Sequence, residues 1–311
     1  MKHLFLVNPA AGKYDQTFDY SEKIHALCTE RELNYEIRVS AKAGDLTKFA
    51  REAGESGEET RIYACGGDGT LNEVVNGACG FPNLAVTAFP GGSGNDFIKV
   101  FSDPAKFRDL SALLDAEEAR FDLIDCNGMR AINICSIGLD ARIGVEVAKY
   151  KRLPGVSGHG AYLMSTAVNL FKGIHEPYTI EVGGEVIEGD RTLLCISSGR
   201  FYGGGFNPIP EAEPDDGLLD VLLVEPVTVF KVAQVIGPYK AGKYRNYPKL
   251  FRYIRTEEVT VRAPKEIVVN VDGEALRASE ITFRIMPGAI RFFYPQGLTY
   301  KLSQEETSAE V

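Results

Sequence analysis

Short apolar runs separated by segments of helical period fill the first 125 residues. Leu4–Val7, Ile62–Cys65 and Leu84–Phe89 are nearly continuous apolar stretches, the pattern of strands buried on both faces of a parallel sheet. Shorter strand-like runs lie near 35–39 and 120–125. Between them, Ile24, Leu27 and Cys28, and later Leu46, Phe49, Ala50 and Ala53, fall on single helical faces. The alternation predicts a β-α-β-α domain built on a parallel sheet. From about residue 129 the character changes. Ala131–Ile137, Thr192–Ser197, Leu218–Val224, Glu266–Val271 and Ile281–Ile285 are strand-like, and Gly183-Gly184 and Asp272-Gly273 sit between strand-like runs as two-residue hairpin signals. Helical inserts are expected near 158–172 and 227–243, and the polar tail Gln304–Val311 is expected to fray. The predicted fold class is α/β plus β: a nucleotide-binding α/β domain over 1–128 and a β-rich, mainly antiparallel domain over 129–311.

Composition narrows the function. A chain of 311 residues with 44% hydrophobic and 25% charged content is that of an ordinary globular protein. Its net charge of −9 argues against a nucleic-acid partner, which demands a dominant basic face. The six cysteines form no Cys-x-x-Cys pair and fall mostly in apolar runs, so free buried thiols of a reducing compartment are expected. The first apolar run is four residues long, and no stretch reaches the roughly 18 residues of a membrane span. A cytoplasmic protein is the expectation.

Candidate chemistry sits where the predicted strands end. Ile62–Cys65 runs into Gly66-Gly67-Asp68-Gly69-Thr70, which opens onto Leu71-Asn72-Glu73. Such a turn lets backbone N–H groups close on phosphates, helped by the helix N-terminus. Thr70 and Glu73 have capping-box spacing and predict the helix start. Asp68 among phosphates calls for a divalent cation or a positioned proton. A glycine-rich turn can also be a plain tight connection, but two more follow strands. Leu84–Phe89 leads to Pro90-Gly91-Gly92-Ser93-Gly94-Asn95-Asp96, and Leu4–Val7 leads to Asn8-Pro9-Ala10-Ala11-Gly12-Lys13. In an open parallel sheet, turns at the strand carboxyl ends converge on one crevice. Ser40, before Gly44-Asp45, ends a further strand on that edge.

Together these segments resemble the catalytic domain of diacylglycerol kinases and related lipid kinases, in particular the small stand-alone bacterial members. Asn8-Pro9 with Gly12-Lys13, Gly66–Glu73, Pro90–Phe97, Phe121-Asp122-Leu123, Asn133–Gly138, Asp215-Asp216-Gly217 and Asp272-Gly273-Glu274 carry the resemblance, in order, across essentially the whole chain. The Gly-Gly-Asp-Gly-Thr core also resembles NAD kinases, and phosphofructokinases carry a relative of it. The Gly-Gly-Ser-Gly-Asn-Asp-Phe segment and the Leu-Asn-Glu continuation are similar to the lipid-kinase branch. The resemblance implies a phosphofructokinase-like α/β domain, a C-terminal β-sandwich whose last residues can return to the first domain, and ATP bound with Mg²⁺ in a cleft between the domains.

Expected roles follow from turn and resemblance together. Asn8, Pro9, Gly12, Lys13, Ser40, Gly66, Gly67, Asp68, Gly69, Thr70, Asn72, Glu73, Gly91, Gly92 and Ser93 are the candidate nucleotide contacts. Asp68 and Asp96 are the candidates to organise catalytic Mg²⁺, directly or through water, in a network with Lys13 and Ser93 that the resemblance implies. Asp96 is equally an N-cap for a helix starting at Phe97. Glu274, just after the Asp272-Gly273 turn, is the candidate base for the acceptor hydroxyl. Asp216, with backbone carbonyls near Glu213 and Leu218, is by resemblance the site of a structural Mg²⁺; spacing alone makes that stretch a turn.

The implied acceptor is a membrane lipid hydroxyl, diacylglycerol giving phosphatidic acid, with phosphatidylglycerol, a sphingoid base, ceramide or undecaprenol as other acceptors. Residues 239–255 hold six basic side chains, five aromatics and no acid, which suits transient docking on an anionic inner membrane face. The same segment also fits a solvated loop whose aromatics pack inward. Lys149-Tyr150-Lys151-Arg152 is a smaller basic patch. A homodimer is compatible with the sequence, without a surface stripe that marks one. An NAD kinase and a non-catalytic, nucleotide-responsive membrane module are the rival functions.

Overall fold

The computed structural model describes residues 1–12, 14–91, 94–151, 164–166, 168–170 and 173–301. Lys13, Gly92, Ser93, Arg152, most of the 158–172 insert and the Gln304–Val311 tail lie outside them, as do the side chains of Lys149 and Lys151. The chain forms two compact units, each discontinuous in sequence. The first comprises Met1–Leu123, Glu213–Asp216 and the residues from Met286 on; the second comprises Ile124–Ala212 and Gly217–Ile285.

In the first unit, β1 (Lys2–Val7), α1 (Thr17–Glu30), β2 (Tyr35–Val39), α2 (Asp45–Glu55), β3 (Thr60–Gly66), α3 (Asp68–Ala78) and β4 (Leu84–Pro90) alternate as the sequence predicts. The strands are parallel in the order β2-β1-β3-β4, with Val7 opposite Cys65 and Gly66 opposite Pro90. In-register carboxyl ends place the Asn8, Gly67 and Gly91 turns along one sheet edge. The end of the last strand, β14 (Glu274–Tyr294), adds to β4 in parallel through Arg291 and Phe292. Phe97, Phe101, Phe107, Phe121 and Phe292 are all buried and form one aromatic cluster, in which Phe97 meets Phe292 edge to face with ring centroids 5.3 Å apart. A short helix, α4 (Leu110–Leu114), packs Leu113 into this unit's core.

In the second unit, β5 (Glu117–Cys126) continues from the first and pairs with β6 (Met129–Ala131). The run expected over Ala131–Ile137 is broken at Ile132 and Asn133 and resumes as β7 (Ile134–Gly138). Helix α5 (Leu139–Lys151), the hairpin β8 (Glu176–Val182) and β9 (Glu185–Arg191), then β10 (Leu193–Ser197), β11 (Leu219–Val224), α6 (Val229–Lys240), β12 (Phe251–Thr256) and β13 (Glu258–Val271) follow. Strands β12-β11-β10-β7-β13-β14 are neighbours, antiparallel at each pairing of this unit. Alternation sets the two faces. Leu194 and Ile196 join one buried cluster with Val269 and Phe283, while Leu193 and Cys195 face another with Val235 and Tyr239 of α6. All six cysteines are free, and only Cys79 is partly exposed.

Asp140, at the start of α5, is a buried carboxyl among hydroxyls. It accepts from the Tyr202 hydroxyl at 2.9 Å, and that hydroxyl lies 2.8 Å from the Tyr239 hydroxyl. Burial raises its pKa from 3.8 to about 7, against the hydrogen bond from Tyr202 that favours the charged form. For an acid raised on folding, the stabilising contribution is complete below the unfolded value and is lost as pH rises through the folded one. Thermal melts over a pH series are therefore expected to show stability declining between about 4 and about 7 from this group. Asp140→Asn is expected to flatten that part of the profile, and an unaltered slope would contradict the assignment.

Candidate active site

Strand β3 ends at Gly66, and α3 begins at Asp68 with extended Gly67 before it. The helix does not start at the expected Thr70–Glu73 capping box. The Thr70 hydroxyl accepts from the Asn8 side-chain amide at 3.0 Å, and Glu73 accepts from the Gly44 backbone N–H at 3.0 Å. Tertiary partners on the turns after β1 and before α2 have taken both side chains from the local cap.

The same bonds bring the three glycine turns together. Asn8 spans from the first to the second, the Gly91 N–H donates to the Gly66 carbonyl at 2.8 Å, and the Gln16 amide donates to the Gly91 carbonyl at 3.2 Å. Gly12 has φ +86°, and a Cβ there would lie 2.7 Å from the Gly91 carbonyl oxygen. Gly12→Ala is expected to cost at least about 1–2 kcal/mol, from left-handed strain alone, as measured by denaturant unfolding. No loss would show that the turns are not locked.

Two carboxylates meet at this edge. The Asp96 backbone N–H donates to Asp68 Oδ1 at 2.5 Å, and a Cβ on Gly94 would stand 2.6 Å from Asp68 Oδ2. Burial and then repulsion by Asp96 raise the Asp68 pKa, opposed by the N–H groups of Asp96 and Phe97 and by Lys99. Asp96 is buried and precedes one turn of 3-10 helix, Phe97–Val100, instead of the expected α-helix. Its side chain makes no cap bond and pairs with the Lys99 ammonium one turn on. Lys99 was not singled out from the sequence, although Asp-x-x-Lys spacing on a turn was the available signal.

The remaining candidates are placed around this pair. Ser40 is buried and donates to the Val7 carbonyl, while Asn72 is buried within α3 and accepts from the Asn76 amide at 3.2 Å. The Ser40 side chain ties the ends of β1 and β2 together at the sheet edge, and the Asn72 bond stays within α3. Pro9 and Gly67 are partly exposed there, and Gly69 is exposed.

Glu274 belongs to the second unit. Val271 pairs with Glu274 across the Asp272-Gly273 turn, with φ of 49° and 99° as a two-residue hairpin of right-handed twist requires. The Glu274 side chain is exposed. Asp272 carries a function that sequence spacing did not reveal. Its carboxylate accepts from the backbone N–H groups of Ile132, at 2.7 Å, and Ile134, at 2.8 Å. The hairpin tip is thereby clamped where β6 passes to β7.

Comparison with known proteins decides the family. The diacylglycerol kinase catalytic domain matches residues 2–126, and the YegS C-terminal NAD kinase beta sandwich-like domain matches residues 133–294. A Pseudomonas aeruginosa protein named "Probable lipid kinase YegS-like" is 32% identical over 88% of this chain and 89% of its own. The chain belongs to the diacylglycerol kinase family. A Shewanella frigidimarina lipid kinase of the same name is 28% identical over 91% of this chain and 92% of its own. The crystal structure of a diacylglycerol kinase from Bacillus anthracis superposes with a TM-score of 0.68 at 21% identity, covering 95% of this chain and 97% of that one. That likeness shows the fold, an α/β unit with parallel strands followed by an antiparallel sandwich-like one.

Two other segments of this diacylglycerol kinase family member differ from simple expectation. Glu213–Asp216 belongs to the first unit, where the Tyr300 hydroxyl donates to Asp215 at 3.0 Å and Lys301 pairs with it at 3.2 Å. Asp216 is exposed beside it. Asp122, of the Phe-Asp-Leu segment, is buried; its carboxylate accepts from the Gly288 N–H at 2.7 Å and its N–H donates to the Pro214 carbonyl. In the basic segment 239–255, all five aromatic side chains are buried or half-buried. Arg245, Arg252 and Arg255 pair with Glu211, Glu185 and Asp220. The second half of the segment is β12, so Phe251 and Tyr253 point in while Arg252 points out; Arg255 shares the face of Tyr253, and both engage buried Asp220. Among the described residues, no helix is long and apolar enough to cross a membrane.

Proposed function

We propose that this lipid kinase family member transfers the γ-phosphoryl group of ATP to the free hydroxyl of diacylglycerol, giving phosphatidic acid. The observation that carries the reading is the Asp68–Asp96 pair, held by a backbone hydrogen bond inside a bay of backbone N–H groups. Two partly or fully buried carboxylates side by side, of which Asp68 is made costlier to ionise by burial and by Asp96, suit a bound Mg²⁺, which takes one or two carboxylates and completes its shell with phosphates and water. Bound there, Mg²⁺ supplies neutralisation of the triphosphate charge. Asn8, Gly12, Gly66, Gly67 and Gly69 give the phosphates backbone and amide donors, Gly91 closes the turn beside them through its bond to the Gly66 carbonyl, and Lys13, Gly92 and Ser93 continue the same turns. Lys99 balances Asp96 and keeps the bay from excess negative charge.

The acceptor oxygen forms a bond to the γ-phosphorus as the β–γ bridging bond breaks, and ADP leaves. The hydroxyl proton passes to Glu274, whose hairpin is fixed by the Asp272 clamp. A carboxylate is a weak base toward an alcohol, so most of the acceleration comes from alignment and charge neutralisation. A second, structural Mg²⁺ on Asp216, completed by carbonyls of Glu213 and Leu218, is part of the same proposal. Oxygen-only ligation suits that hard cation, and the neighbouring Asp215 carboxylate is engaged by Tyr300 and Lys301.

An acceptor panel tests the reading: labelled ATP, Mg²⁺ and micelles each carrying diacylglycerol, phosphatidylglycerol, a sphingoid base, ceramide or undecaprenol, with NAD in solution. Diacylglycerol is expected to be the acceptor labelled fastest. Preference for another lipid would move the substrate, and labelling of NAD alone would move the reaction.

A further inference from the structure

We infer that the outward face of α6 docks this protein on an anionic lipid bilayer. Helix α6 is apolar on both of its faces. Inward, Val235 and Tyr239 are buried and Val232 packs against the cluster of Leu139, Ile143, Ile174 and Val227. Outward, Phe230 is 85% exposed, Val229 45% and Ile236 44%, with Ala233 exposed among them. Single exposed apolar side chains are ordinary, but three large ones on one face within two turns form a patch.

Charge selects the bilayer. No Asp or Glu occurs from Val227 to Thr256, while seven Lys and Arg do, on a chain of net −9. The three arginines are ion-paired, but Lys231, Lys240, Lys243 and Lys249 have no ion pair among the described residues. Lys240 is exposed one turn beyond Ile236, although its ammonium also lies over the Phe206 ring, 5.2 Å from the centroid; Lys243 and Lys249 are exposed as well. An apolar stripe edged by lysines is the pattern of a helix lying in a membrane interface. Two-fold pairing with a second copy would set these lysines against each other with no acid on the face to meet them. The docking function first looked for in 239–255 thus passes to α6, with the lysines after it as its cationic edge.

The inference shares with the proposed function the premise that the substrate lies in a membrane. The test uses no nucleotide and no acceptor, so either can fail alone. The full chain is floated with vesicles of phosphatidylcholine, with and without phosphatidylglycerol, at low and high salt. Wild type is expected to float with the anionic vesicles and to be released by salt. Phe230→Ser is expected to weaken binding about ten-fold, and Lys243→Gln about five-fold. Thermal melts of both variants are expected to match wild type. Wild type that does not float, unchanged flotation of Phe230→Ser/Ile236→Ser, or a wild-type dimer that this double variant splits would each overturn the inference; the last would give the face to a second copy.

Discussion

Asp68→Asn is expected to reduce phosphoryl transfer on the order of 10³-fold, the scale of losing a principal electrostatic group at a reacting centre. The substitution keeps the shape of the side chain and an oxygen that can accept from the Asp96 N–H, so the turn stays closed. What it removes is the negative charge that Mg²⁺ meets beside Asp96. Stability should move the other way. Burial and the Asp96 charge raise the Asp68 pKa, so its ionisation at neutral pH opposes folding, and the contribution of this site falls as pH rises through its folded pKa. In the absence of Mg²⁺, Asp68→Asn is therefore expected to melt at or above the wild-type temperature at neutral pH. It should also lack the Mg²⁺-induced rise in melting temperature that is expected of wild type with nucleotide. A variant that retains turnover, or one that unfolds, would remove Asp68 from the centre of the site.

Glu274→Gln is expected to lower turnover on the order of 10²-fold or more while leaving ATP affinity nearly unchanged. Glutamine has the same length and cannot accept the acceptor proton as a base. The side chain is exposed on a hairpin whose geometry is set by Asp272 and Gly273, not by Glu274, so the fold should be indifferent to the change. Nucleotide titration and steady-state kinetics on the same preparation separate the two effects. Loss of ATP binding in Glu274→Gln would make the residue a nucleotide contact and end its role as base.

Much of this arrangement could be read along the chain because it is local. Leu4–Val7, Ile62–Cys65 and Leu84–Phe89 are unbroken apolar runs, and each became a buried parallel strand with a glycine turn at its carboxyl end. Both hairpins are where Gly183-Gly184 and Asp272-Gly273 predict them, because positive φ at two successive residues is a local demand. What the sequence hid depends on distant partners. Thr70 and Glu73 have capping-box spacing, yet Asn8 and Gly44 lie within reach only once the sheet has formed. Asp272 looks like a turn residue, and its clamp on Ile132 and Ile134 spans about 140 positions of sequence. Residues 251–256 look like a basic surface loop, and pairing with β11 turned them into a strand whose alternation hides the aromatics. The break at Ile132–Asn133 and the return of Glu213–Asp216 to the first unit have no periodic signal at all.

The most direct single measurement is transfer of label from the γ-phosphate of ATP to chloroform-extractable lipid, with diacylglycerol micelles and Mg²⁺, by wild type and by Glu274→Gln side by side. Labelled phosphatidic acid from wild type that requires Mg²⁺ and is nearly absent with Glu274→Gln is the predicted result. No labelled lipid from a folded, ATP-binding wild type, or equal labelling by both proteins, would contradict it.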